Sequence, residues 1–170
     1  MSSLLLAMLL GAPAGPVNGA ASAGQRQLSF YHTHTQRELQ IIYAIDGHYV
    51  DSALSEINAF LADFRNGDQL VIDPKLLDLI YDVRETLGGD GAFEVISAYR
   101  SPATNEMLRS KSSGVVKNSQ HVLGNAIDVR LRGVSTIDLR DAAIAMQRGG
   151  VGYYKNSDFV HIDTGRVRRW

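Results

Sequence analysis

Two short segments hold most of the side chains able to do chemistry in this chain: Ser119-Gln120-His121-Val122-Leu123-Gly124-Asn125-Ala126-Ile127-Asp128 and Asp158-Phe159-Val160-His161-Ile162-Asp163. Together they offer two imidazoles and a carboxylate, on His121, Asp128 and His161, with further carboxylates beside them. Such a donor set suits a divalent metal, and a catalytic zinc needs three protein ligands with one position left for water. The chain has no cysteine, so thiolate ligands, thiolate nucleophiles and disulfides are excluded together. Any metal must sit on His and carboxylate donors.

The local context supports the set. His121 ends a polar loop, where its direction is open to be set, and Gly124 permits a tight turn just after it. Asp128 lies inside an apolar strand pattern, Ala126-Ile127-Asp128-Val129. A carboxylate among buried neighbours needs a partner, and a coordinated cation is a natural one. His161 stands in the same way between Val160 and Ile162. Taken singly, each has a plainer role: a His on an apolar strand is more often a hydrogen-bonded core residue, and His-x6-Asp alone is a weak signal. The conjunction of the three with the glycine between is what favours a metal site, and a family resemblance adds to it.

The elements that must position these groups are legible around them. Leu28 to Thr35 alternates as a strand, Glu38 to Ile45 follows, and Asp46-Gly47 turns a hairpin into His48-Tyr49-Val50. A helix capped at Asp51 or Ser52 carries Leu54, Ile57, Leu61 and Phe64 on one face. Asp73-Pro74 opens a second helix with Leu76, Leu77, Ile80, Val83 and Leu87 inward, ended by Gly88-Gly89. Phe93 to Tyr99 reads as a central strand, Ser101-Pro102 as the start of a short helix to about Ser110, and Lys111 to Gln120 as a loop. Ala126 to Leu131 is a strand, Thr136 to Arg148 a helix broken by Gly149-Gly150, and Val151 to Tyr154 and Phe159 to Asp163 a last strand pair. Strands at both ends with helices between predict a single α+β domain, with a mostly antiparallel sheet and flanking helices.

Composition narrows the class. At 170 residues, 45% hydrophobic, 21% charged and net charge −1, the chain is an ordinary globular one and lacks the basic face of a nucleic-acid binder. The first charged side chain is Arg26. Before it come the apolar run Leu4 to Leu10 and the small residues Ala21-Ser22-Ala23, which read as a secretory signal peptide over residues 1–23. Residues 24–170 are then an exported domain, associated with a membrane only through that leader. His32 and His34 share a strand face and read as hydrogen-bonded residues, and His48 as exposed. The tail Gly165-Arg166-Val167-Arg168-Arg169-Trp170 reads as a solvated basic terminus packed by Trp170.

Ser119-x-His121-x-x-Gly124-x-Ala126-x-Asp128 resembles the S-x-H-x-x-G-x-A-x-D signature of the zinc D,D-carboxypeptidase and murein endopeptidase family, with VanX- and VanY-type members and a fold shared with hedgehog proteins. The likeness is closest to the YcbK-like murein endopeptidases and runs through Ser97-Ala98-Tyr99-Arg100-Ser101-Pro102, the signature, Gly149-Gly150-Val151-Gly152-Tyr153-Tyr154 and His161-Ile162-Asp163-Thr164-Gly165. The resemblance implies Zn2+ on His121, Asp128 and His161, and peptidoglycan as substrate. It makes Arg100 a residue that binds substrate and steadies the oxyanion. Many such proteins carry E-x-x-H with Glu as general base; here Asp158 takes that place, and Asp163 is either a rival base or a group that orients the ligand. Ser119 either bonds substrate or ligand or caps a turn. The expected activity is hydrolysis of peptide cross-links in the periplasm or cell envelope, with stem-peptide carboxypeptidase and a lapsed wall-binding module as alternatives.

Overall fold

The computed structural model describes residues 24–112 and 114–170 and builds them around one eight-stranded sheet. The expected leader, residues 1–23, lies outside the described residues. The strands are β1 (Gln25–His32), β2 (Glu38–Ile45), β3 (His48–Tyr49), β4 (Phe93–Ser97), β5 (Ala126–Leu131), β6 (Gly150–Tyr154), β7 (Phe159–Asp163) and β8 (Arg168–Arg169). The helices are α1 (Asp51–Phe60), α2 (Pro74–Thr86), α3 (Pro102–Lys111) and α4 (Thr136–Met146). Strand order is β3-β2-β1-β4-β5-β7-β6-β8. The β1–β4 and β6–β8 pairs are parallel and the other pairs antiparallel, so this is a mixed sheet in an α+β domain.

Local chemistry explains most boundaries. Asp46 and Gly47 both take positive φ, 50° and 80°, the conformation an Asp-Gly hairpin turn requires. Asp73 accepts from Lys75 N–H at 3.0 Å and Pro74 opens α2; Ser101 likewise accepts from Thr104 N–H ahead of Pro102 and α3. The first helix is instead preceded by Val50 with no side-chain cap, so neither Asp51 nor Ser52 caps it as expected. The first helix stops at Phe60, because Asp63 is fully buried and accepts from the N–H groups of Arg65 and Ser101, folding the chain away. Phe64 therefore leaves the helical stripe and stacks on His34 at 4.0 Å. The tail is largely solvent-exposed, as expected, and it also adds β8 to the sheet edge.

The core forms where α4 packs against α2 and against β5, β6 and β7. Leu76, Leu77, Ile80 and Val83 of α2 and Leu139 of α4 join Ile127, Val129, Val160 and Ile162 in one buried cluster. Each large apolar side chain so buried stabilises the fold by about 1.5–3 kcal/mol. Because strand side chains alternate, Asp128 and His161 project from the opposite face of the sheet to these residues. The core thus fixes the backbone beneath the candidate ligands without touching their donor atoms. No helix among the described residues is long and apolar enough to cross a membrane.

Candidate metal centre

Register brings the first two donors together. β5 and β7 pair antiparallel with Asp128 directly opposite His161, which sets their side chains next to each other on one face. The third donor arrives on the 3-10 turn Gln120–Leu123. Ser119 Oγ accepts from His121 N–H at 3.4 Å, so its observed role is to cap that turn. Gly124 closes the turn at φ 72°, and a Cβ there would lie 2.4 Å from the carbonyl oxygen of Val71. Glycine is required on both counts. The turn is also tied to the end of β4, since Arg100 N–H donates to the carbonyl of His121 at 3.2 Å.

His121 Nε2 lies 3.2 Å from His161 Nδ1 and 3.2 Å from Asp128 Oδ1, and His161 Nδ1 lies 2.8 Å from that same oxygen. All three residues are buried, and their donor atoms fall within 4.8 Å of one another. The far side of each ring decides which nitrogen faces inward. His121 Nδ1 is 2.6 Å from the carbonyl oxygen of Ala98, which can only accept, so Nδ1 carries the proton and Nε2 turns a lone pair to the group. His161 Nε2 donates to Asp163 Oδ2 at 2.9 Å, leaving Nδ1 as the inward donor. Fixing both rings from behind is the arrangement metal-ligating histidines need, and the donor set fits a divalent cation.

Electrostatics agree. Burial opposes ionisation of Asp128, yet the facing imidazoles of His121 and His161 outweigh it and hold the carboxyl well below the usual range. Burial also opposes the charged form of His161, but hydrogen bonds to Asp128 and Asp163 raise its pKa to about 9. Two ionised carboxylates around one imidazole favour positive charge between them. Asp163, fully buried, accepts from His161, from the N–H groups of Gly150 and Gly165, and twice from Arg168.

Arg100 is brought to the group. It is only 9% exposed, its Nη2 lies 4.0 Å from Asp128 Oδ2, and its Nη1 donates to Asn105 Oδ1 at 3.4 Å. Its buried Nε has no hydrogen-bond partner among the described residues. Burial pulls its pKa down, against the attraction of Asp128. Asp158 is not brought to the group. It caps a 3-10 turn at φ 50°, accepts from Thr136 Oγ1 at 2.7 Å and lies 3.5 Å from Arg130 Nε. Alternation along β7 gives the reason: Phe159, His161 and Asp163 share one face, and Asp158 precedes it on a left-handed turn residue.

A cleft of about 530 Å³ opens over the ligands. Its walls include Arg100 and Ser119 on one side and Tyr154, Phe159 and Trp170 on another, and Asp128 is the one carboxylate among the described lining residues. Sequence reasoning missed Asn105, which holds Arg100 and donates to the carbonyls of Val116 and Lys117 in the cleft loop. It also missed Arg168 and Trp170, whose only signal was a basic tail with one Trp. His32 and His34 stay apart from the metal group; they pack with Phe60 and Phe64 in an aromatic cluster.

Comparison with known proteins gives a consistent result. A family model described as peptidoglycan L,D-endopeptidase MepK matches residues 20–170. Peptidoglycan L,D-endopeptidase MepK of Escherichia coli (strain K12) is 39% identical over 145 residues, covering 85% of this chain and 80% of the relative. The probable peptidoglycan L,D-endopeptidase MepK of Haemophilus influenzae is 38% identical over 146 residues, covering 85% and 78%.

Proposed function

The chain belongs to the peptidoglycan L,D-endopeptidase MepK family, and from that membership we propose that it is a zinc-dependent peptidase that hydrolyses peptide cross-links of peptidoglycan as an endopeptidase. The observation that carries the metal part is the pair of rings whose outer nitrogens are engaged, by Ala98 O and Asp163, so that His121 Nε2 and His161 Nδ1 converge with Asp128 Oδ1. Zinc held by His121, Asp128 and His161 would supply an activated water and polarise the scissile carbonyl.

The chain's own residues do the rest. Arg100 offers N–H donors from a buried guanidinium to the substrate oxygen on which charge develops, where low dielectric strengthens the interaction. Asp163 keeps the Nε2 proton on His161 and so maintains ring and tautomer. With five donors already on it, Asp163 is assigned orientation rather than proton transfer. The aromatic wall of Tyr154, Phe159 and Trp170 gives the cleft an apolar side against which a stem peptide packs. The relatives' names favour an L,D cross-link as the bond cut. The same reading places the protein outside the cytoplasm, with residues 1–23 as its export leader.

The test is digestion of purified sacculi by the protein, with and without a zinc chelator, followed by chromatography of the muropeptides. Cross-linked species are expected to fall with time, and the chelator to stop this. A carboxypeptidase would shorten stems while leaving cross-links, and a wall-binding module would retain affinity without new products. Unchanged muropeptides from folded, zinc-loaded protein would overturn the proposal.

A further inference from the structure

The last residues of the sheet edge line the cleft and reach the metal group through Asp163, on the Nε2 side of His161. Trp170 N–H donates to the carbonyl of Val151 at 3.2 Å, and Tyr153 N–H donates to the carbonyl of Trp170 at 3.0 Å, which lays β8 beside β6. That pairing delivers the guanidinium of Arg168 to Asp163. Nη1 donates to Oδ1 at 3.0 Å and Nη2 to Oδ2 at 2.7 Å, a two-pronged contact that sets the plane of the carboxylate. Oδ2 is also the oxygen that accepts the Nε2 proton of His161.

β6 is shaped to admit this contact. A Cβ on Gly150 would lie 2.3 Å from Arg168 Nη1 and 2.5 Å from Asp163 Oδ2, and one on Gly152 would lie 2.6 Å from the indole of Trp170. The two glycines leave the space that the guanidinium and the indole fill. Exposed ion pairs contribute little, but here the carboxylate is fully buried and the fork is bidentate.

We propose that Arg168 is a positioning residue for His161: acting through Asp163, it fixes the direction and tautomer of the imidazole, and Gly150 is small in order to admit it. Without Arg168, the N–H groups of Gly150 and Gly165 still hold Oδ1, but Oδ2 keeps His161 alone and the carboxylate swings about its Cβ bond. The proposal rests on the reading of His121, Asp128 and His161 as metal ligands.

The experiment measures zinc affinity by competition with a chromophoric chelator, and the visible spectrum after cobalt substitution, for wild type, Arg168→Gln, Arg168→Lys and Arg169→Gly. Arg168→Gln is expected to weaken zinc binding by about 10-fold, the low end of the range for loss of a ligand's own outer partner because Asp163 itself remains, and to alter the cobalt spectrum. Arg168→Lys, which keeps the charge and loses the fork, should recover part of that affinity but not all of it. Arg169→Gly loosens the same strand and leaves Arg168, Trp170 and their contacts in place, so its affinity should change much less than that of Arg168→Gln; an equal loss in the two would assign the effect to strand packing and overturn the proposal. Wild-type affinity in Arg168→Gln would overturn it too, as would wild-type affinity in Arg168→Lys should the glutamine variant fail to fold. If wild type itself takes up no zinc, the failure lies with the ligand assignment rather than with Arg168.

Discussion

His161 and Asp163 sit two residues apart on β7, and the 2.9 Å hydrogen bond between Nε2 and Oδ2 turns the other ring nitrogen, Nδ1, toward Asp128. One bond thus selects which tautomer of His161 faces the cleft. His121 obeys the same logic with opposite atoms: its Nδ1 is held by a backbone carbonyl, and Nε2 faces inward. Two rings presenting different nitrogens to one point is a consequence of their different supports, a strand neighbour for one and the end of β4 for the other.

The ligand assignment predicts that His121→Ala loses bound zinc while wild type retains it through gel filtration. Removing one of three protein donors from a site is expected to lower affinity at least as much as removing an outer partner does, by more than about 10–100-fold. Metal analysis by mass spectrometry of both proteins checks this, and equal zinc content refutes the assignment.

Asp158 is predicted to be dispensable for turnover. Its carboxylate is engaged by Thr136 and Arg130, outside the cleft, with a side chain 66% exposed. Asp158→Asn should keep muropeptide cleavage within about threefold of wild type, whereas loss of a general base costs about 10²–10⁴-fold. A fall of that size would show that Asp158 swings into the cleft when substrate binds.

Arg100 is predicted to act on substrate and not on metal retention. Arg100→Gln should lower the rate constant for cleavage by about 10²–10³-fold, the range found for removal of one oxyanion donor, with zinc content unchanged. Steady-state cleavage of a purified cross-linked muropeptide, alongside metal analysis, separates the two effects.

His32 predicts an acid-sensitive fold. Burial, reinforced by the charges of His34 and Arg37, lowers its pKa to about 4, and His34 N–H donates to its Nδ1 at 3.3 Å. The folded value lies below that of the unfolded chain, about 6.5, so between these values the unfolded state binds more protons. Stability is therefore full above about pH 6.5 and declines toward pH 4, by roughly 3 kcal/mol from this group. Urea unfolding at pH 7.5 and pH 4.5 should show a smaller difference for His32→Phe than for wild type. An identical pH dependence in the two proteins counts against the prediction.

Much of this was readable from residue order. β5 from Ala126 to Leu131 and β7 from Phe159 to Asp163 were bounded correctly, because apolar periodicity and flanking turn residues are local signals. Asp73 and Ser101 cap their helices as the Asp-Pro and Ser-Pro pairs foretold. Where a long-range contact competed, local pattern lost. Phe64 continued the helical stripe of α1 in sequence, yet the buried Asp63 accepts from Ser101 N–H, thirty-eight positions away, and the helix ends before it.

The sequence by itself determined the donor types: two imidazoles and a carboxylate, no thiols, and a glycine where the turn after His121 needs positive φ. Those are matters of residue identity and short-range geometry. Only the tertiary structure decided which nitrogen each ring presents, that Asp158 turns to Thr136, and that Arg168 clamps Asp163. The His121 ring depends on the segment after β4, Asp158 on the start of α4, and the His161 ring and the Arg168 clamp on contacts among β5, β6, β7 and β8. Register follows from the packing of a whole face, so a two-residue strand such as Arg168–Arg169, with no apolar pattern of its own, leaves no local trace.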